Sequence, residues 1–144
     1  MGLVFLVGVD CSRCGDRALD YAAERAAIKG AKLLVVHVIE WSPYTFSTPQ
    51  ENEQRHKRRE EEIARAHEEI VDPIVKALRE KGVDAEGVVR HGHVADTIIR
   101  LAEKRGVTNI VVGRQGISRL KAKLFGGVAS ALVQTADVPV TVVP

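Results

Sequence analysis

Asn109-Ile110-Val111-Val112-Gly113-Arg114-Gln115-Gly116, followed after nine residues by Gly126-Gly127, is the stretch on which the reading of this chain turns. An apolar run of strand length ends on a glycine, and the missing Cβ lets backbone approach a ligand closely. A glycine pair then opens an amphipathic segment, presenting unpaired N–H groups and the positive end of a helix dipole. Strand, glycine-rich loop and helix in that order form a cradle for phosphate. Arg114, Arg119, Lys121 and Lys123 add positive charge to the same segment. Plain turns and a solvated loop are the competing reading of these residues.

Outward from this stretch, apolar runs of strand length alternate with segments of helical period. Leu3 to Val9 is a continuous apolar run closed by Asp10-Cys11-Ser12. Leu19, Ala22, Ala23 and Ala26 recur at helical spacing, with Gly30 as the stop. Lys32 to Ile39 is a second buried strand, and Trp41 to Asn52, containing Pro43 and Pro49, reads as a loop. From Glu53 to Lys81 the spacing predicts a long charged helix, apolar through Ile63, Ala66, Ile70, Ile74 and Leu78. Pro73 should kink or divide it, and Gly82 end it.

Ala85 to Arg90 is a third strand. Val94 to Lys104 is a helix facing inward through Ala95, Ile98, Ile99 and Ala102, with Gly106 as its stop. Thr108 to Val112 is the fourth strand, Gly127 to Thr135 the last helix, and Val138 to Val143 the fifth strand, flanked by Pro139 and Pro144. This alternation predicts an α/β domain built on a five-stranded parallel sheet, doubly wound with helices on both faces in the Rossmann-like manner. Ligands of such sheets sit at the carboxyl ends of strands near the switch in strand order. Asp10, Val38 and Gly113 fall at such ends.

Composition narrows the function classes. The 144 residues suit one domain, and 45% hydrophobic residues with only 4% aromatics imply a core of Val, Ile, Leu and Ala. A net charge of +2 is too small to mark a nucleic-acid binder. No apolar run reaches membrane-spanning length, and the N-terminus lacks a basic region followed by a small-residue cleavage site. Met1-Gly2 does not fit N-myristoylation, because Leu6 stands where Ser or Thr is needed. A soluble, cytoplasmic domain is expected, with neither nucleic acid nor membrane among its partners.

Cys11-Ser12-Arg13-Cys14 is a C-x-x-C between a strand and a helix, a place where a helix N-terminus lowers a thiol's pKa. The overall element order does not fit a thioredoxin, and two small loop residues, or a reversible disulfide beside Asp10, are the readings left. His91-Gly92-His93 ends the third strand and, with the two cysteines, has the ligand types of a zinc site. His37 reads as a satisfied histidine at the core's margin. The charge run from Gln54 to Glu62 reads as a solvated helix face. Trp41, Tyr44 and Phe46 cluster after the second strand. They cap a base, offer a partner surface or pack over the sheet end.

The pattern Gly113-x2-Gly116-x9-Gly126 strongly resembles the ATP-binding signature of universal stress proteins. Leu6-Val7-Gly8-Val9-Asp10, Val36-His37-Val38-Ile39 and Ala136-Asp137-Val138-Pro139-Val140 extend that resemblance along nearly the whole chain. It implies an adenine nucleotide alpha hydrolase-like fold and an adenine nucleotide, ATP or AMP, as ligand. Asp10 and the backbone of Val38 would contact adenine or nearby ribose atoms, and Val112 and Gly113 would lie against the sugar. Gly116, Gly126, Gly127 and Val128 would offer backbone N–H groups to the phosphates. Where the family has Ser or Thr, this chain has Gly127. One side-chain hydrogen bond to phosphate is thereby lost, a contact worth about 1.5–3 kcal/mol. Ser118 and Ser130 stand near enough in sequence to compensate.

The resemblance implies a stress-response regulator that dimerises through its last strand and presents a nucleotide-dependent surface to a protein partner. Asp10 is also read as a simple helix N-cap. Slow ATP hydrolysis is the enzymatic alternative. No Walker A lysine and no carboxylate within the glycine-rich loop are present, so Mg²⁺ would ride on the phosphates. A nucleotide-independent dimeric scaffold, or a thiol-redox or metal-responsive protein using Cys11 and Cys14, completes the set.

Overall fold

The structure, a computed structural model, describes residues 2–40, 48–115 and 126–144. Trp41, Tyr44, Phe46, Gly116, Ser118, Arg119, Lys121 and Lys123 lie outside the described residues. The elements are β1 (Val4–Gly8), α1 (Arg13–Lys29), β2 (Lys32–Glu40), α2 (Pro49–Ala66), a π-turn (His67–Val71) and α3 (Asp72–Glu80). They continue with β3 (Ala85–Gly92), α4 (Val94–Arg105), β4 (Asn109–Gly113), α5 (Gly127–Thr135) and β5 (Val140–Val143). All pairings are parallel, in the order β3-β2-β1-β4-β5. The doubly wound sheet read from the sequence is the one observed.

Successive strand residues point to opposite faces, so apolar runs without alternation bury both faces of the sheet. One face carries Val7, Leu33, Val35, Val89 and Val111 against α1, α2 and α3. The other carries Leu6, Leu34, Val36, Val88, Ile110 and Val112 against α4 and α5. Helix α1 meets the sheet through Ala18, Ala22 and Ala26, all essentially buried. Alanines at i, i+4 and i+8 share one face and keep the helix axis close to the strands. Gly30 and Gly106 stop α1 and α4 in the left-handed conformation, at φ 64° in both.

Besides one-residue shifts and a β3 that runs on to Gly92 rather than ending at Arg90, two predicted boundaries move for a local reason. Pro49 to Asn52 belong to α2 rather than to a loop. Thr48 Oγ1 accepts the Glu51 N–H at 3.1 Å while Glu51 Oε2 accepts the Thr48 N–H at 3.0 Å. Proline is well tolerated in the first turn of a helix so capped. The fifth strand begins at Val140, not Val138, because Pro139 has no N–H for the ladder and contributes only its carbonyl, to Ile110 N–H at 3.0 Å.

Pro73 divides the long helix through a π-turn, in which the Asp72 N–H donates to the His67 carbonyl. The extra residue rotates the chain relative to a regular helix. Val71 becomes the fully buried residue, and Ile63, Ile70 and Ile74 pack only partly against the core.

Gly87 of β3 receives this turn. A Cβ there would lie 2.2 Å from Val71 Cγ1 and 3.3 Å from Val75 Cγ2. On the neighbouring residue, Glu86 is paired by Arg105, with Lys32 Nζ at 3.4 Å. The Arg105 hydrogen bond holds the Glu86 carboxyl below its ordinary 4.5, against the opposing effect of partial burial.

Gly87→Ala is expected to cost about 1–3 kcal/mol through overpacking against Val71, read as a lower urea midpoint with unchanged m-value. The Glu86 pairing stabilises the fold above the unfolded-state carboxyl pKa, and that contribution is lost as pH falls through the lower folded value. For so exposed a pair it amounts to less than about 1 kcal/mol. Glu86→Gln should therefore lower the melting temperature slightly at pH 7, with the difference from wild type closing below about pH 4.

Candidate functional site

At the carboxyl ends of β1, β2 and β4 the chain leaves the sheet in diverging directions. Helix α1 packs on one face and α5 on the other. A cavity of about 590 Å³ opens there, lined by residues following β1, by the end of β2 and by the first turns of α4 and α5. Asp10, Val38, Val112, Gly113, Gly126, Gly127 and Val128 all line it. Gly116, the remaining site residue read from the sequence, lies outside the described residues.

The exit of β1 is held tightly. Val9 N–H donates to the Val36 carbonyl at 2.9 Å, and His37 Nδ1 donates to the Val9 carbonyl at 2.7 Å. His37 is thus the satisfied histidine expected. Asp10 is not the cap of α1. That role belongs to Ser12, whose Oγ accepts the Gly15 N–H at 3.0 Å while donating to Asp10 Oδ1 at 2.5 Å. Asp10 Oδ1 also accepts the Ser12 N–H at 3.0 Å.

Gly113 carries no side chain for a reason the sequence did not reveal. A Cβ there would lie 2.6 Å from the Cys14 carbonyl carbon and 2.7 Å from its Cβ. The first turn of α1 therefore occupies the space, and the requirement for glycine arises from helix packing. Cys14 is buried by the same contact, whereas Cys11 is exposed with φ 65°. The structure does not bring Cys11, Cys14, His91 and His93 together as a metal site. Strand β2 separates β1 from β3, and His91 Nε2 lies 3.1 Å from Glu62 Oε2. Among the described residues no group of three His, Cys, Asp or Glu suits a metal ion.

At the other end of the cavity, α5 begins at Gly126 with extended backbone (φ −69°, ψ 166°) and no side-chain cap. Gly126 N–H is taken by the Arg114 carbonyl at 2.8 Å, and Ser130 N–H by the Gly126 carbonyl at 3.0 Å. The first-turn N–H groups between them have no intrahelical acceptor and are available to an anion. Among the described residues, a Cβ on Gly127 would meet nothing within 4 Å.

The cavity is electrostatically graded. Asp10 and Glu40 line the part beside β1 and β2, while Arg114 and the α5 N-terminus line the part beyond β4. Between them stand Val36, Val38, Ile98 and Val112. This arrangement suits a flat apolar group near β2 and an anionic group at α5.

Sequence reasoning gave no site role to Ser12, which caps α1 and binds Asp10, or to Gly15 and the α4 wall of Val94, Ala95 and Ile98, and it read His93 only as a metal-ligand type. The D-x-S-x-x-G spacing from Asp10 to Gly15 held the signal for the first two. No local signal marks the α4 wall, which approaches only through the crossover.

A family model described as the universal stress protein family matches residues 4–144. Universal stress protein YxiE of Bacillus subtilis is 32% identical, the match covering 96% of each chain. Among solved structures, universal stress protein UspA from Lactobacillus plantarum superposes with a TM-score of 0.83 at 22% identity, covering 99% of this chain and 97% of that one. The universal stress protein from Archaeoglobus fulgidus in complex with dAMP superposes with a TM-score of 0.63 at 25% identity, covering 100% of this chain and 98% of that one. The sequence match along the whole sheet, and a fold shared with these structures, together make this chain a member of the universal stress protein family.

Proposed function

We propose that this chain binds an adenine nucleotide, ATP or AMP, and acts as a stress-response regulator whose surface changes with the nucleotide. The carrying observation is the graded cavity, with the uncapped Gly126-Gly127 start of α5 at one end and an apolar cleft by Val38 at the other. Adenine fits the cleft, Asp10 suits a sugar hydroxyl, and the α5 N–H groups suit phosphate. The dAMP held by the Archaeoglobus relative supports the choice of ligand class. Mg²⁺, when present, rides on the phosphates. Nucleotide bound at the start of α5 alters what a protein partner meets there.

The open space beside Gly127 gives the family's hydroxyl residue room to return. Its absence weakens phosphate binding without removing the backbone donors.

Assembly as a cytoplasmic homodimer through β5 is part of the same proposal. Strand β5 is a sheet edge. Pro139 and Val143 turn their carbonyls inward to Ile110 and Arg114. By alternation Val140 and Val142 turn their backbone polar groups to the open edge, where a second copy can pair.

Calorimetric titration of nucleotide-stripped protein with MgATP should show micromolar binding, weakened about tenfold or more by Asp10→Ala. Gly127→Ser should tighten it by about one decade through the added hydroxyl. Absence of binding in wild type would refute the nucleotide reading. In sedimentation velocity the wild type should run as a dimer at micromolar concentration. Val142→Pro, which removes an outward N–H and some apolar packing but no hydrogen bond to β4, should run as a folded monomer.

A further inference from the structure

Asp10 does not reach the cavity as a free side chain. Its Oδ1 accepts both the backbone N–H and the hydroxyl of Ser12, at 3.0 and 2.5 Å. Ser12 is 7% exposed, and its hydroxyl oxygen accepts the Gly15 N–H at 3.0 Å. Any side chain at position 15 would begin 2.5 Å from Asp10 Oδ1, so glycine there leaves the carboxylate room to lie against the first turn of α1. Two donors occupy Oδ1, and among the described residues no hydrogen bond reaches Oδ2. A carboxylate held in this way offers one acceptor oxygen in a single orientation.

We propose that Ser12 is a positioning residue that fixes Asp10 so that Oδ2 accepts a ribose hydroxyl, setting the preference of the site for hydroxyl-bearing over dideoxy sugars. The inference rests on the adenine-nucleotide reading given above. Sheet order supplies the placement. Strand β1 lies between β2, whose Val38 end suits the base, and β4, beyond which α5 suits the phosphates. Asp10 follows β1 and is therefore level with the sugar. A lone acceptor selects a donor, and the ribose hydroxyls are the donors that a nucleotide carries between base and phosphate. Without the Ser12 hydroxyl, the carboxylate regains rotamer freedom, and the bond to the sugar must offset that entropy.

The test is titration of the full chain with MgATP and with Mg-2′,3′-dideoxyATP, for wild type, Ser12→Asp, Ser12→Ala and Ser12→Thr. Aspartate at position 12 can still cap α1 but has no hydroxyl proton to give Asp10. Threonine keeps both functions. Wild type and Ser12→Thr should prefer ATP by about tenfold, the worth of a hydrogen bond to a charged acceptor. In Ser12→Asp and Ser12→Ala the preference should fall to within about twofold. Because the ratio is taken within one variant, fraying of α1 that weakens both nucleotides alike leaves it unchanged. An undiminished preference in Ser12→Asp and Ser12→Ala overturns the positioning role while leaving nucleotide binding intact. A wild type that binds both nucleotides equally overturns the assignment of Oδ2 to the sugar. A wild type that binds neither overturns the nucleotide reading itself.

Discussion

Burial of both faces of a parallel sheet is the constraint on which the rest of this molecule depends. Parallel neighbours need crossovers, and crossovers place helices over the sheet. Here α1 to α3 cover one face and α4 with α5 the other. Strands β1 and β4 are adjacent, yet the helices that follow them leave on opposite faces. The backbone must part at that point, and the parting is the cavity. The same geometry turns the N-termini of α1, α4 and α5 toward it, so positive helix ends accumulate at the cavity.

Within that frame the glycines divide by physical role. Gly113 and Gly15 are demanded by the protein's own packing, the first by the backbone of Cys14 and the second by the Asp10 carboxylate. Gly87 accommodates Val71 of the π-turn. Gly127 stands apart from these, since none of the described residues lies within 4 Å of where its side chain would begin.

The interior around Asp10 is economical in polar groups. A serine caps a helix, restrains a carboxylate and lies 3.5 Å from the Gln115 carbonyl beyond β4. The β1 exit is stitched to β2 by Val9 and His37. These short links, the Val9–Val36 backbone bond and the hydrogen-bonded side chains of Ser12 and His37, connect the strands that bound the cavity.

Most of the fold was legible in the chain because it rests on local periodicity. The apolar runs Leu3 to Val9, Lys32 to Ile39 and Thr108 to Val112 marked buried strands, and Gly30 and Gly106 marked helix ends that the structure places in the left-handed conformation. The start of α2 was hidden because Pro49 signals a loop unless the reciprocal Thr48–Glu51 cap is recognised. Val71 was missed because a single π-turn rotates the apolar face, and periodicity assumes a constant pitch.

Of the candidate site, the sequence by itself determined its ingredients and its place: a carboxylate after β1, an apolar end of β2 and a glycine pair opening α5. Only the tertiary structure decided that α4 walls the cavity, that Ser12 rather than Asp10 caps α1, and that Gly113 yields its space to Cys14. Those facts depend on contacts between residues distant in sequence or on side-chain orientation, and neither leaves a period in the chain.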